Sequence, residues 1–270
     1  MFTAAAISIL NASSSRAEQE WDTFKKEPLA KVRALADKGN PAAQASLANR
    51  LLRGIGTRSD VAAGLAWYQK AASKKFPPAM TALGALYEEG AVLPEDKQRA
   101  VKLYEEAAAL DYPRAQYKLG FLYLWDRKDG GLQDFDKGLQ LCQCAAKAGY
   151  SIAAVRLGDL YHGGSTHLKK DEKEAVRWYK IAWESGSDYA GGALANAYFN
   201  GKGTAKDRRL AVVCFSRYKL APEAKYWYKR LSAKQVISEP ELRQAVQWMC
   251  SANQNEEQDK VESWNALHAR

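Results

Sequence analysis

The sequence predicts an all-α fold: an α/α superhelix (solenoid) of tandem antiparallel helix pairs. Three observations predict it. Asp60, Asp96, Asp134, Asp171 and Asp207 recur at steps of 36, 38, 37 and 36, each four residues before a small residue, Gly64, Ala100, Gly138, Ala175 or Ala211. Ala43, Ala79, Ala115, Ala153 and Ala190 keep the same rhythm, each four residues before a leucine, Leu47, Leu83, Leu119, Leu157 or Leu194. The distance from that alanine to an aromatic or apolar position further on is 24, 24, 26, 25 and 24 residues, so length varies in a loop and not in the helices. A period of this size marks stacked supersecondary units instead of one globular core.

In chain order, residues 1–24 form an N-terminal segment of different character. Residues 2–10 are mildly apolar, and an Asn-Ala-Ser-Ser-Ser-Arg-Ala run at 11–17 leads to Glu18. An apolar stretch followed by small residues is the pattern of an export signal, yet a signal starts basic and no Lys or Arg precedes Arg16. The segment reads as a weak signal or as a frayed cap. Periplasm or cell envelope is the favoured location, cytoplasm the alternative. The repeat array is expected over 25–252, as a half repeat, five clear repeats at 41–220 and one degenerate repeat at 221–252. A capping helix is expected at 253–270.

Residues 29–38 read as a lone second-type (B) helix ended by Gly39. Each repeat then opens with an A helix. Pro41, Pro77 and Pro113 stand two before the alanine, where proline suits a first helical turn. The alanine, the leucine, and Leu51, Tyr87, Tyr123, Tyr161 or Tyr198 eight residues on share one helical face. Beside each leucine, Ala48, Gly84, Gly120, Gly158 or Ala195 lets another helix approach closely. Gly54, Gly90, Gly164 and Gly201 close four of the five A helices, because glycine accepts the left-handed turn. Unit three has Asp126 there and the longest loop, with Gly130-Gly131. Each recurring aspartate is placed to cap a B helix by accepting from free backbone amides. The B helices carry Trp67-Tyr68, Leu103-Tyr104, Leu141-Cys142, Trp178-Tyr179 and Cys214-Phe215 as core. Pro222, Ala224, Tyr228, Glu241, Ala245 and Trp248 repeat the pattern once more, with Lys229 in the small-residue place. Thirteen to fifteen helices are expected in all.

The fullest copy, Ala153 to Tyr161 with Asp171 to Ala182, resembles the Sel-like repeat family, a relative of the tetratricopeptide repeat. The shared motif is Ala-x3-Leu-Gly-x2-Tyr-x2-Gly, a loop, then Asp-x3-Ala-x2-Trp-Tyr-x2-Ala-Ala. It covers roughly residues 29–252. The resemblance implies protein binding without chemistry and without a cofactor, most often in an adaptor. Similar proteins occur beside toxins of secretion systems, which implies an alternative: an immunity protein that neutralises a secreted effector enzyme by stoichiometric binding. A cysteine-rich, penicillin-binding branch carries a cysteine pair in each repeat, and this chain does not. Cys142 and Cys144 point to different faces of one helix. Cys214 and Cys250 fall on successive B helices, near enough for a contact, but the cysteines read first as small buried apolar groups.

The net charge of +9 is concentrated late in the chain. Lys206, Arg208, Arg209, Arg217, Lys225 and Lys229 form a basic patch, opposed locally by Asp207 and Glu223. Such a field attracts an acidic protein partner, unless it is merely a solvated end of the array. No nucleic-acid motif accompanies it, so no nucleic-acid partner is expected. No run approaches the length of a membrane-spanning helix. His162 and His167 lie near the turn of unit four and read as solvated, with no convergent set to hold a metal. Ser216-Arg-Tyr-Lys219 lacks the partner motifs of a penicillin-binding site, and Gly201-Lys-Gly203-Thr204 is the repeat turn without a preceding strand. No nucleophile, base and acid stand together. The expectation is no enzyme, and a β-lactam or cell-wall hydrolase has the least support.

With alanine and leucine turned to the B helix, positions two, six and ten after the alanine face the concave side. These are Ala45, Asn49 and Arg53; Thr81, Ala85 and Glu89; Val155, Asp159 and Gly163; Gly192, Asn196 and Asn200. In unit three they become Tyr117, Phe121 and Trp125, with Leu124 alongside, and in unit six Tyr226 and Arg230. Clustered aromatic groups on a surface are the material of binding hot spots. The alternative is that the long loop of unit three folds over them. A protein partner in the groove, a secreted effector among the candidates, is expected to use these anchors.

Overall fold

The computed structural model describes residues 16–125, 134–218, 238, 240–242 and 244–245. Among them are twelve helices up to Tyr218, further helical residues at 240–242 and 244–245, and no strand. They are α1 (Arg16–Lys25), α2 (Leu29–Asp37), α3 (Pro41–Arg53), α4 (Val61–Ser73), α5 (Pro77–Glu89), α6 (Lys97–Ala108), α7 (Pro113–Trp125), α8 (Phe135–Lys147), α9 (Ser151–Gly163), α10 (Glu172–Glu184), α11 (Asp188–Asn200) and α12 (Arg208–Tyr218). The all-α class of tandem helix pairs is therefore the one adopted. α2 is the lone B helix, and α3 to α12 alternate A and B.

The local chemistry explains the boundaries. Asp60, Asp96 and Asp134 each accept from the amide three residues on, at 2.9, 2.9 and 3.0 Å. Asp171 accepts from two amides, those of Lys173 and Glu174, and Asp207 accepts from Leu210. Each bond satisfies a donor that a helix start leaves open. Pro41 and Pro77 occupy the first turns of α3 and α5. Gly54, Gly90 and Gly201 close α3, α5 and α11 in the left-handed region, at φ of 67°, 65° and 70°. The loop from A to B is pinned a second way. The capping aspartate's own amide donates to a carbonyl on the last turn of the A helix: Asp60 to Leu51, Asp96 to Tyr87, Asp171 to Tyr161 and Asp207 to Tyr198.

Two compact units divide the chain, Met1–Leu157 and Gly158–Arg270. In the first, α3 packs on α4, α5 on α6 and α7 on α8. Ala43, Ala79, Ala115, Leu47, Leu83 and Leu119 are buried; Ala43 and Leu47 cluster with Val32 and Ala36 of α2, and Ala115 with Met80 and Ala107 of the preceding pair. Gly84 shows why the neighbour of the leucine must be small: a Cβ there would stand 2.6 Å from the Tyr104 ring. The ring lies on the A-helix backbone, and its hydroxyl donates to Glu88 at 2.6 Å. The second unit repeats the device. A Cβ on Gly158 would stand 2.5 Å from Tyr179, whose hydroxyl donates to Asp159 at 2.8 Å. Trp178, Ala182 and Trp183 complete that core. Trp67, expected as core, is only half-buried, with the Lys70 ammonium 4.1 Å from its ring centroid.

One helix departs from the sequence reading. Residues 16–24, counted there with the N-terminal segment, form α1 together with Lys25, and the helix lies against the A helices α3 and α5. Its Trp21 is buried in the cluster formed by Ala42, Ala45, Ala48, Phe76, Ala79 and Leu83.

Candidate functional site

The repeated alanines and leucines of the A helices and their unrepeated sixth and tenth positions divide by exposure. The recurring alanines and leucines are buried in all five units. Position six after the alanine, held by Asn49, Ala85, Phe121, Asp159 and Asn196, is half-buried or exposed in every unit. Arg53, Glu89, Gly163 and Asn200, at position ten, are exposed. The chain thus spends its identical residues on stacking and varies its residues on the accessible A-helix face.

Position two behaves differently. Ala45, Thr81 and Tyr117 are buried, while Val155 and Gly192 are half-buried. Tyr117 therefore departs from the expected open stripe. Its ring lies 5.3 Å from Tyr150 and 6.1 Å from Phe121, centroid to centroid, tilted by 47° and 51°. Tilted rings at this spacing are a favourable aromatic geometry. Burial pushes the Tyr117 phenol above its ordinary value, opposed by a hydrogen bond with the Arg156 side chain. What covers Tyr117 includes Tyr150, just before α9. Phe121 and Leu124 remain half-buried. Trp125 ends α7, and its side chain lies outside the described residues, as does the 126–133 loop.

Tyr150 belongs to a series the sequence reading missed. Phe76, Tyr112 and Tyr150 each stand three residues before the repeat alanine, at steps of 36 and 38. Phe76 and Tyr112 are buried. This second aromatic period was a signal available for finding the cover over Tyr117.

The face of α3 and α5 carries a further construction. The Arg50 guanidinium donates to the carbonyls of Phe24, Lys25 and Glu27 at 2.8, 2.9 and 2.7 Å. Those oxygens lie in and just beyond the last turn of α1, the negative end of its dipole, so one buried cation caps three open acceptors. The Ser46 hydroxyl adds a bond to the Phe24 carbonyl at 3.2 Å. At the other end, the Tyr112 hydroxyl donates to Glu18. Burial, followed by the Glu18 charge, raises the Tyr112 phenol well above its usual range.

In the second unit a small cavity of about 140 Å³ opens between α9, α10 and α11, lined by His162, Glu172, Tyr179, Asn196 and Lys202. His162, read as merely solvated, meets Glu172 at 2.8 Å through Nδ1. Lys170 reaches the other Glu172 oxygen at 2.9 Å. Lys170, then His162, hold the Glu172 carboxyl below the ordinary carboxylate value. Among the described residues no group of three or more His, Cys, Asp or Glu is placed to hold a metal ion, and no helix is long and apolar enough to cross a membrane.

Of the basic patch, Lys206 and Arg208 are exposed and Arg209 is half-buried. The side chain of Arg217 lies outside the described residues, as do Lys225, Lys229, Tyr226, Arg230 and Cys250. Cys142 and Cys214 are buried, and Cys144 is exposed.

Three comparisons bear on this arrangement. The Sel1 repeat pattern matches five consecutive segments, residues 41–76, 77–112, 113–150, 151–187 and 193–217. No curated protein sequence matches the chain. A protective antigen from uropathogenic Escherichia coli with an SLR fold is similar at 27% identity and a TM-score of 0.60, over 72% of this chain and 41% of the antigen. This chain thus spans less than half of that antigen's length. A Sel1 repeat protein from Oxalobacter formigenes is similar at 24% identity and a TM-score of 0.62, over 83% of this chain and 100% of that one. An immunity protein from Pseudomonas aeruginosa is similar at 22% identity and a TM-score of 0.51, over 84% and 86%. The last two likenesses speak for the fold alone.

Proposed function

The chain belongs to the Sel1 repeat family, and from that premise we propose that it is a non-catalytic scaffold, an adaptor that binds a protein partner on the face of its A helices. The observation that carries this reading is the division within the repeat. The repeat alanine and leucine are invariant and buried, whereas position six runs through Asn49, Ala85, Phe121, Asp159 and Asn196 and is half-buried or exposed. A stack needs no such variety, but recognition does. Phe121, half-buried beside Tyr117, supplies an apolar anchor, and Leu124, half-buried against Gly138 of α8, Trp125, Tyr226 and Arg230 are proposed to extend it. Lys206, Arg208 and Arg209, with Arg217, Lys225 and Lys229, would steer an acidic partner and speed its approach.

The test is co-purification of the native partner with wild-type and Phe121→Ala/Leu124→Ala chains. We expect at least tenfold weaker binding by a variant whose helical circular dichroism is unchanged. Unchanged affinity in a folded variant would remove the anchor assignment. A related fold is carried by a protein described as an immunity protein, so the captured partner is also assayed for enzymatic activity. Loss of that activity at one-to-one stoichiometry would convert the adaptor reading into the inhibitor reading. An envelope location is proposed with the second reading and is read by fractionation.

A further inference from the structure

The A-helix face of the first unit already holds a helix. α1, whose Phe24 also packs on the cluster holding Val32 and Ala36 of α2, lies across α3 and α5 and reaches Tyr112, just before α7. Ala17, Trp21 and Phe24, at helical steps of four and three, turn toward the cluster of Ala42, Ala45, Ala48, Phe76 and Ala79. Glu18, on the same side, takes the Tyr112 hydroxyl, and Arg50 caps the far end. The face thus has an apolar floor, an anchor for an acidic side chain at one end and a cation for helix carbonyls at the other.

The resident helix fills this groove imperfectly. Trp21 is 6% exposed, yet its indole N–H has no acceptor among the described residues. A buried donor left open costs free energy that any occupant without it would not lose. Over residues 17–25 of α1, Trp21 alone falls in the buried class; Ala17, Glu18 and Phe24 are half-buried and the others exposed. Three residues, Lys26 to Pro28, tether α1 to α2. A single buried anchor with an open donor and a polar remainder leave α1 replaceable by a helix that fills the same contacts better, against the advantage that its short tether and the Arg50 and Tyr112 contacts give it.

We infer that this face is a helix-binding groove whose own α1 is an exchangeable occupant. This deepens the scaffold reading and rests on it. The partner it fits is an amphipathic helix from another protein. That helix carries apolar side chains at successive steps of four and three, an acidic residue just after the first of them, and free C-terminal carbonyls for Arg50. While α1 is seated, the groove is closed, and a partner binds only in competition with it.

The experiment uses the full chain and a fluorescent peptide of residues 16–28. Trp21→Ala in the chain removes the anchor of α1 and should tighten peptide binding at least tenfold over wild type. Adding Arg50→Ala should abolish that gain. A Trp21→Phe peptide should bind at least as well as the native peptide, because the indole N–H finds no acceptor in the groove. Should Trp21→Ala misfold, Glu18→Lys frees α1 at its Tyr112 end without touching the apolar floor, and the same gain is expected. A folded Trp21→Ala chain that binds the peptide no better than wild type overturns the inference, as does a gain that survives Arg50→Ala. A wild-type dimer exchanging α1, seen by light scattering and dissolved by peptide, would replace the separate partner with a second copy. Peptide failure with co-purification intact removes the groove and leaves the scaffold, while loss of co-purification with peptide binding intact does the reverse.

Discussion

The two compact units run the same stacking machinery and present different faces. In the first, the accessible side of α3 and α5 is occupied by α1, with Trp21 and Arg50 as its contacts. In the second, the described residues show a polar hollow between α9, α10 and α11, built from His162, Glu172, Asn196 and Lys202. Yet Gly84 with Tyr104 and Gly158 with Tyr179 are the same close approach of a ring to a helix backbone. Packing within a hairpin is therefore independent of what its outer positions recognise, as expected when stability sums over units and their neighbours.

The largest effect that can test this separation comes from one repeat position in two environments. Trp178 is buried in the second unit and Trp67 half-buried in the first. Trp178→Ala should cost about 3–5 kcal/mol, the range for emptying a buried aromatic site. Trp67→Ala should cost less than half of that. Urea unfolding measures both, and equal losses would show that repeat position outweighs local burial. Next comes Arg50→Ala, which strips three carbonyls of a charged donor and should cost about 1.5–3 kcal/mol. The loss should be accompanied by a red shift of Trp21 emission as α1 leaves its site. Arg50→Lys should restore part of the lost stability, since all three bonds come from the single nitrogen Nη2 and an ammonium also presents three donors from one nitrogen.

Gly84→Ala and Gly158→Ala sharpen the shared half of the comparison. Each forces a Cβ into a tyrosine ring, and each should cost about 1–3 kcal/mol, the usual penalty of overpacking. Thermal unfolding should give similar losses for the two, and a large disparity would mean that the hairpins are not equivalent. The smallest effect is electrostatic. Lys170 and His162 depress the Glu172 carboxyl below its ordinary 4.5. A depressed acid contributes stability that is present above the unfolded value and lost as pH falls through the folded one. The second unit should therefore lose a small increment of stability between about pH 4.5 and the folded value. Glu172→Gln should flatten that part of the Tm-against-pH curve. The group is partly exposed, so the slope should shrink in added salt.

Much of this was legible in the sequence because it is periodic. The Gly84 and Gly158 places, the capping aspartates and the closing glycines obey spacings that a helix dictates, and the structure puts each where its spacing says. α1 was not legible for a related reason. Its segment has no sibling in the chain, and apart from Trp21 it is mostly polar, so it read as an N-terminal segment and not as part of the array. Arg50 shows the same limit. Its three acceptors lie 23 to 26 residues earlier, beyond any local pattern. The burial of Tyr117 was hidden by attention to one period alone, since the Phe76, Tyr112 and Tyr150 series sits in register just ahead of the A helices. The anchors proposed at Phe121 and Leu124 remain the readings to test by substitution.

The aspartate amide that bonds back to the A helix has an engineering consequence. Four A-to-B turns are clamped at both feet, as by Asp60 on Leu51 or Asp171 on Tyr161, and in the first of them Ser59 adds a bond to the Leu52 carbonyl. Foreign peptides grafted between the closing glycine and the aspartate should thus leave the hairpins in register, turning these turns into display sites that can lengthen without loosening the array.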